Sequence, residues 1–372
     1  MIDLRDKLGQ MLMVGLAGEE VTPEEKKIFS EYPIGNFVLF SRNLREPDQI
    51  VSLGRALWDL RREPPFIAID HEGGRVHRLP EPFTHFPAAS VLGATGKPEP
   101  AYEMGRAMGR ELLAAGINLN FAPVLDVLSN PENPVIGDRS LGADPQKVSR
   151  LGWETTRGLK DSGVIPCGKH FPGHGDTEKD SHLELPVVRK TRGELDACEL
   201  PPFVQACRNE IDSLMTAHVL YPALDPDLPA TLSRSIIGAL LRGELAYDGV
   251  VFSDDLEMRA ITDGYSAEQA SALAVDAGVD VLMFCHHVES AARAFEFLCR
   301  QAEREERIRT RIEESAGRIA RLKRRFLKSF TGIPGEGFEK SAGFENHTKK
   351  NATTKNTKST KALRLSGRRS RR

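Results

Sequence analysis

Eight short apolar, β-branched-rich runs punctuate the chain, at residues 11–15, 37–40, 66–70, 119–123, 165–170, 213–218, 249–254 and 279–285. Within each run the apolar residues are continuous rather than alternating, the pattern of strands covered on both faces. Between the runs lie stretches of helical periodicity with recognisable ends. One covers residues 103–115 and is stopped by Gly116. A second starts at Asp144-Pro145, an N-cap followed by proline at the first helical position, and a third at Ser266 with Glu268 close behind. Residues 304–327 read as a last long helix with Ile308, Ile312, Ile319, Leu322 and Phe326 on one face. Strand then helix, repeated to eight, predicts an α/β chain built as a (β/α)8 TIM-type barrel, a single catalytic domain over residues 1–330. An open doubly wound sheet is the alternative, but no G-x-G-x-x-G follows the first strand.

The composition is that of a globular chain, 372 residues with 40% hydrophobic and 28% charged. The net charge of −2 hides an asymmetry. Ten of the 51 Lys and Arg lie in residues 346–372, which hold no acid, so the body carries 41 basic against 53 acidic residues, a net of −12. A body of that sign offers no field for nucleic acid. Residues 331–372 read as a low-complexity basic tail, with too few large apolar side chains to order itself. The five cysteines (Cys167, Cys198, Cys207, Cys285, Cys299) have neither paired nor metal-type spacing and read as small core residues. The start of the chain lacks the features of a signal peptide, and no apolar run reaches the ~18 residues of a membrane helix. Together these predict a soluble, cytoplasmic protein, a monomer without a membrane span.

Candidate chemistry concentrates after the fifth run. Lys169-His170-Phe171-Pro172-Gly173-His174-Gly175-Asp176-Thr177, followed by Asp180-Ser181-His182, places three histidines, a lysine and acids in a glycine-broken loop. Loops of this kind carry function on a rigid scaffold. Other run ends are ionisable too: Asp70, Asp126 just beyond the fourth, His218, Asp254-Asp255 and Cys285-His286. In a (β/α)8 barrel those ends share one rim. Asp254 leaves a deeply apolar run, so it is either paired by a cation such as Arg75, Arg78, Arg139 or Lys169, or held ready as a nucleophile. Asp255 could equally be a cap for the next helix.

Four segments in order, Asp70-His71-Glu72-Gly73-Gly74-Arg75-Val76, Gly137-Asp138-Arg139-Ser140, the Lys169–His182 loop and Phe252-Ser253-Asp254-Asp255-Leu256, resemble glycoside hydrolase family 3. More narrowly, they are similar to the single-domain β-N-acetylglucosaminidases of peptidoglycan recycling, over about residues 5–330. The resemblance implies that Asp254 is the nucleophile, His182 the acid/base and Asp180 the carboxylate that orients it. Asp70, Arg78, Arg139, Lys169 and His170 match positions that hold the sugar. His71 and His77 stand where relatives often carry Gln, and Leu141 where an aromatic is common. The basic tail has no counterpart. The implied substrate is a GlcNAc-anhydromuramyl peptide, cleaved with retention and without cofactor or metal.

The chemistry is coherent on its own terms. Asp180 and His182, two apart in an extended loop, can share one side, and the carboxylate then fixes the tautomer of the ring. The ring protonates the leaving oxygen as Asp254 attacks, then deprotonates the water that frees the sugar. Pro172-Gly173 and Gly175 would let the loop swing over the mouth. Three alternatives stay open. In a metal-dependent hydrolase His170, His218 and Asp254 would be ligands, although the first run lacks an H-x-H and the eighth an Asp. A phosphorylase would use phosphate in place of water. A carbohydrate-binding protein would have no need of all three of Asp254, Asp180 and His182.

Overall fold

The computed structural model describes residues 3–178, 180–181 and 184–327. The expected tail and the expected acid/base His182 lie outside the described residues. All eight runs are strands: β1 (Leu12–Gly15), β2 (Asn36–Leu39), β3 (Phe66–Ile69), β4 (Leu119–Asn120), β5 (Ile165–Phe171), β6 (Ser213–Thr216), β7 (Val250–Asp255) and β8 (Val281–Phe284). They pair in chain order, and β1 returns to β8 through Leu12–Leu282 and Val14–Phe284, closing the barrel. Every pairing is parallel, which explains why the runs are apolar throughout: one face fills the barrel and the other meets the helices. Phe66 of β3 and Phe252 of β7 belong to strands that do not pair, yet their rings lie 6.1 Å apart, so they meet across the interior.

The strand β4 is shorter than the run at 119–123 because cis Pro123 interrupts it and has no N–H to offer. Pairing continues irregularly beyond it, with Lys169 N–H donating to the Pro123 carbonyl across 3.1 Å and Leu125 N–H to the Lys169 carbonyl across 2.6 Å. Buried Asn120 then pins the exit of β3, accepting from His71 N–H (3.0 Å) and donating to the His71 carbonyl (2.9 Å). That bond fixes where the β3 loop departs.

The helices follow their cap residues. Asp144 accepts from Gln146 N–H at the start of Pro145–Asp161, and Ser266 forms a reciprocal capping pair with Gln269 at the start of Ala267–Ala277. The helix expected over 103–115 begins earlier, at Pro98, again a proline in the first turn. The helix expected over 304–327 runs Glu306–Leu327, because Glu305 is extended (φ −124°) and Arg304 ends a separate helix, Val288–Arg304. Lys323 of the last helix closes the N-terminal end of the barrel. Its buried ammonium donates to Gln10 Oε1 (2.6 Å) and the Gly35 carbonyl (3.3 Å) and stands 4.7 Å from the centre of the Phe66 ring. Among the described residues no helix is long and apolar enough to cross a membrane.

Candidate active site

The C-terminal rim of the barrel is where ionisable side chains leave an apolar core, and four of them form its floor. After Asp70 the chain turns through Gly73 (φ +94°) and Gly74 (φ +55°) and returns at Val76. A Cβ on Gly73 would stand 2.3 Å from the Pro87 carbonyl oxygen, so this turn requires glycine. The turn carries Glu72 inward. Both its oxygens are held by Arg139 across 2.8 Å, and Lys169 stands 2.6 Å from one of them. Lys169 also reaches Asp70 at 2.5 Å. Burial would raise the Glu72 carboxyl, but Arg139 and Lys169 outweigh it and hold Glu72 well below the usual carboxylate range. For Lys169, burial lowers the ammonium, and Asp70 and Glu72 more than restore it. The result is a charge-balanced floor of two cations and two anions. Asp70 is its most accessible member, with 22% of its side chain exposed. Arg75, expected among the possible partners of Asp254, instead meets Asp138 at 2.8 Å.

The loop after β5 is organised by Asp126, which is fully buried. Its Oδ1 accepts the backbone N–H of His170 (3.0 Å) and of His174 (2.7 Å), and its Oδ2 lies 2.7 Å from His170 Nδ1. Burial works to raise this carboxyl, but His170, His174 and the backbone bond hold it below its ordinary value. Being ionised, it makes His170 Nδ1 the protonated nitrogen. His174 does different work. Its ring bridges Thr177 Oγ1 (2.9 Å) and Ser181 Oγ (3.2 Å), and burial pushes it down to about 4, so it is a neutral tie within the loop. The glycines expected as hinges are contact positions. A Cβ on Gly175 would stand 1.6 Å from the Val127 carbonyl oxygen, and one on Gly173 2.7 Å from Glu199 Cβ.

Opposite this floor, β7 ends in Asp254 and Asp255, and the two carboxylates separate. Asp254 lines the cleft, half-buried, with Oδ1 accepting the Asp255 N–H across 2.8 Å. Burial acts to raise it, but His218, His170, that N–H and Lys169 outweigh burial and keep Asp254 ionised, below the usual carboxylate value. Asp255 is structural. It accepts the N–H of Glu257 and of Cys285 at 3.1 Å each, and its other oxygen meets His286 at 3.3 Å. His218 donates Nε2–H to the Asp255 carbonyl (2.9 Å) and holds Thr231 Oγ1 at 2.7 Å through Nδ1. Both its ring nitrogens are engaged, which leaves none for a metal.

The cleft between these groups has a volume of about 370 Å³, within the range of small-molecule sites. Asp70, Arg78, Arg139, Lys169, His170, Asp180 and Asp254 all line it, so the structure brings together every expected site residue that it describes. Phe40, Met215, Met258 and Met283 supply an apolar wall. A larger hollow, about 460 Å³, lies beside Tyr247 and the last helix, but its arginines are engaged by Asp212 and Asp248. The sequence does not reveal the part played by two residues: Asp126 reads there only as a strand-end acid, and Glu72 only as part of a motif.

Comparison with known proteins bears on these residues as a set. The profile of the glycosyl hydrolase family 3 N-terminal domain matches residues 3–322. A β-hexosaminidase of Alkalilimnicola ehrlichii is 44% identical over 285 residues, covering 75% of this chain and 81% of that protein. A family 3 β-N-acetylglucosaminidase from Paenibacillus sp. superposes with a TM-score of 0.85 at 45% identity, over 88% of this chain and 63% of the longer Paenibacillus chain. NagZ from Neisseria gonorrhoeae, solved with N-trifluoroacetyl-D-glucosamine, gives a TM-score of 0.72 at 32% identity, over 84% of this chain and 93% of that one.

Proposed function

We infer the reaction from the premise that this chain belongs to glycosyl hydrolase family 3 and is a glycoside hydrolase of the β-N-acetylhexosaminidase kind. The finer reading is a retaining exo-enzyme that removes terminal, non-reducing β-linked N-acetylglucosamine, with GlcNAc-anhydromuramyl peptides as substrate. The observation that carries it is Asp254: ionised, at the mouth of the cleft, facing a floor of side chains that can hold hydroxyls.

In this reading Asp70, Arg78, Arg139, Lys169 and His170 hold the sugar, with Glu72 and Asp126 fixing Arg139, Lys169 and His170 from below. Asp254 attacks the anomeric carbon while His182 protonates the leaving oxygen, giving a glycosyl-Asp254 ester. His182, now neutral and oriented by Asp180, takes a proton from water, whose oxygen attacks the anomeric carbon and releases Asp254. Asp180 lines the same cleft, as the role requires. One acid/base of this kind contributes about 10²–10⁴ in rate. The reading includes action as a monomer, and a cytoplasmic setting would suit a substrate released from the wall. Residues 1–330 would be the catalytic unit, needing neither cofactor nor metal.

The test is trapping with a 5-fluoro N-acetylglucosaminyl fluoride followed by peptide mass spectrometry. A label on Asp254 is expected, and a label elsewhere, or none, would overturn the assignment. Proton NMR of the first-formed anomer, with and without phosphate, then checks retention and the acceptor.

A further inference from the structure

Beside the cleft, three histidine rings form a column. His71 and His77 have centroids 4.6 Å apart, His77 and His85 stack at 4.3 Å with 20° between planes, and Phe86 meets the other side of His71 edge-on at 6.0 Å. His71 is fully buried. Its Nδ1 accepts the backbone N–H of Arg78 across 3.3 Å. An amide N–H can only donate, so Nδ1 carries the lone pair and the remaining proton sits on Nε2. The groups facing the column oppose a second proton. They are Arg78 and the other two rings; Glu72 alone favours it, and its charge is already met by Arg139 and Lys169. Glu111, on the helix beside His77, is bound at both oxygens by Thr84. Burial first, and then His77 and Arg78, push His71 down to about 3.

Arg78 lines the cleft, and its Nε is buried with no hydrogen-bond partner among the described residues. A buried guanidinium nitrogen without a protein partner is costly unless something else engages the group. The backbone that presents it is tied to the β3 exit by Glu72 N–H on the Val76 carbonyl, and, among the described residues, His71 is the acceptor that holds Arg78 itself. We propose that His71, clamped in the column with His77 and His85, is a positioning residue for Arg78 and acts through it on the sugar. The inference rests on Arg78 being a sugar contact, as the functional reading has it.

A double-mutant cycle tests it, with a nitrophenyl N-acetylglucosaminide as substrate. His71→Met removes the acceptor while keeping an apolar filling, and should raise KM about three- to tenfold with little change in kcat. In an Arg78→Ala background the same change should cost nothing further, because the group it positions is gone. His71→Gln, whose amide oxygen can accept the Arg78 N–H, should restore KM to within about twofold. In the wild type, ¹⁵N chemical shifts should report His71 as the neutral Nε2–H tautomer. Equal losses from His71→Met in both backgrounds, or a ring protonated on Nδ1, would overturn the inference and leave the activity standing. If His71→Met fails to fold, His71→Leu takes its place in the cycle. No sugar release by the wild-type chain would overturn the functional reading and this inference with it.

Discussion

Asp126 Oδ2 accepts from His170 Nδ1 across 2.7 Å, and the other oxygen of Asp126 gathers the backbone N–H of His170 and His174. One buried carboxylate thus sets the course of the loop and the facing of a ring in the cleft. An amide in its place has one acceptor oxygen for three converging donors. Asp126→Asn should therefore lower kcat/KM by roughly 10²-fold through misplacement of His170. It should also lower stability by about 1–3 kcal/mol through the buried donors left over. Steady-state kinetics and thermal melting check the two effects separately.

The acid/base assignment predicts a dependence on the leaving group. His182→Ala should cost about 10²–10⁴ in kcat on an unactivated disaccharide, and far less on a dinitrophenyl glycoside whose leaving oxygen needs no proton. A Brønsted plot of rate against leaving-group pKa reads this directly. Equal losses on both substrates would contradict the role.

The buried histidines predict acid lability. His71 is depressed to about 3 and His174 to about 4, both by burial first, whereas an unfolded histidine titrates near 6.5. Above ~6.5 neither state binds the extra proton, so these residues contribute no pH dependence. Below it the unfolded chain takes up protons that the folded chain refuses, and stability falls until the folded values are reached. By pH 5 each residue accounts for roughly 2 kcal/mol, from about 1.36 kcal/mol per unit. Denaturant melts between pH 7 and 4.5 should show the decline, with a shallower slope in His71→Gln.

Lys323 predicts a slope of the same sign in a higher range. Burial lowers its ammonium to about 7, against ~10.4 when unfolded. Below pH 7 both states are charged and the folded one bears the full cost of burial. Between pH 7 and ~10.4 the unfolded chain holds more protons, so stability rises with pH. Lys323→Met should stabilise the protein by about 1–3 kcal/mol at pH 6, an advantage that shrinks towards pH 10. Differential scanning calorimetry across that range decides it.

The barrel was legible because a strand covered on both faces must be apolar at every position, a pattern that survives without alignment. Its ends were less so. Nothing in the run at 119–123 reveals how far pairing persists past Pro123, which depends on carbonyls offered to β5. Asp254 could be singled out because a carboxylate two residues after the apolar Val250-Val251-Phe252 must emerge from the core. Glu72 could not, since its work is defined by Arg139, 67 residues away. His170 and His174 look alike in sequence. Both line the cleft, and only the placement of Asp126, Thr177 and Ser181 makes one ring held by a carboxylate and the other a brace within the loop.

The seam that shuts the barrel joins Leu12 to Leu282, 270 positions later. At ~5–20 residues per second, a ribosome needs roughly a quarter of a minute to a minute to make what lies between. For that interval the first strand has an unmatched edge, open to pairing with a neighbouring nascent chain. The finished sheet has no such edge to offer, so the hazard of self-association belongs to synthesis and refolding rather than to the mature enzyme.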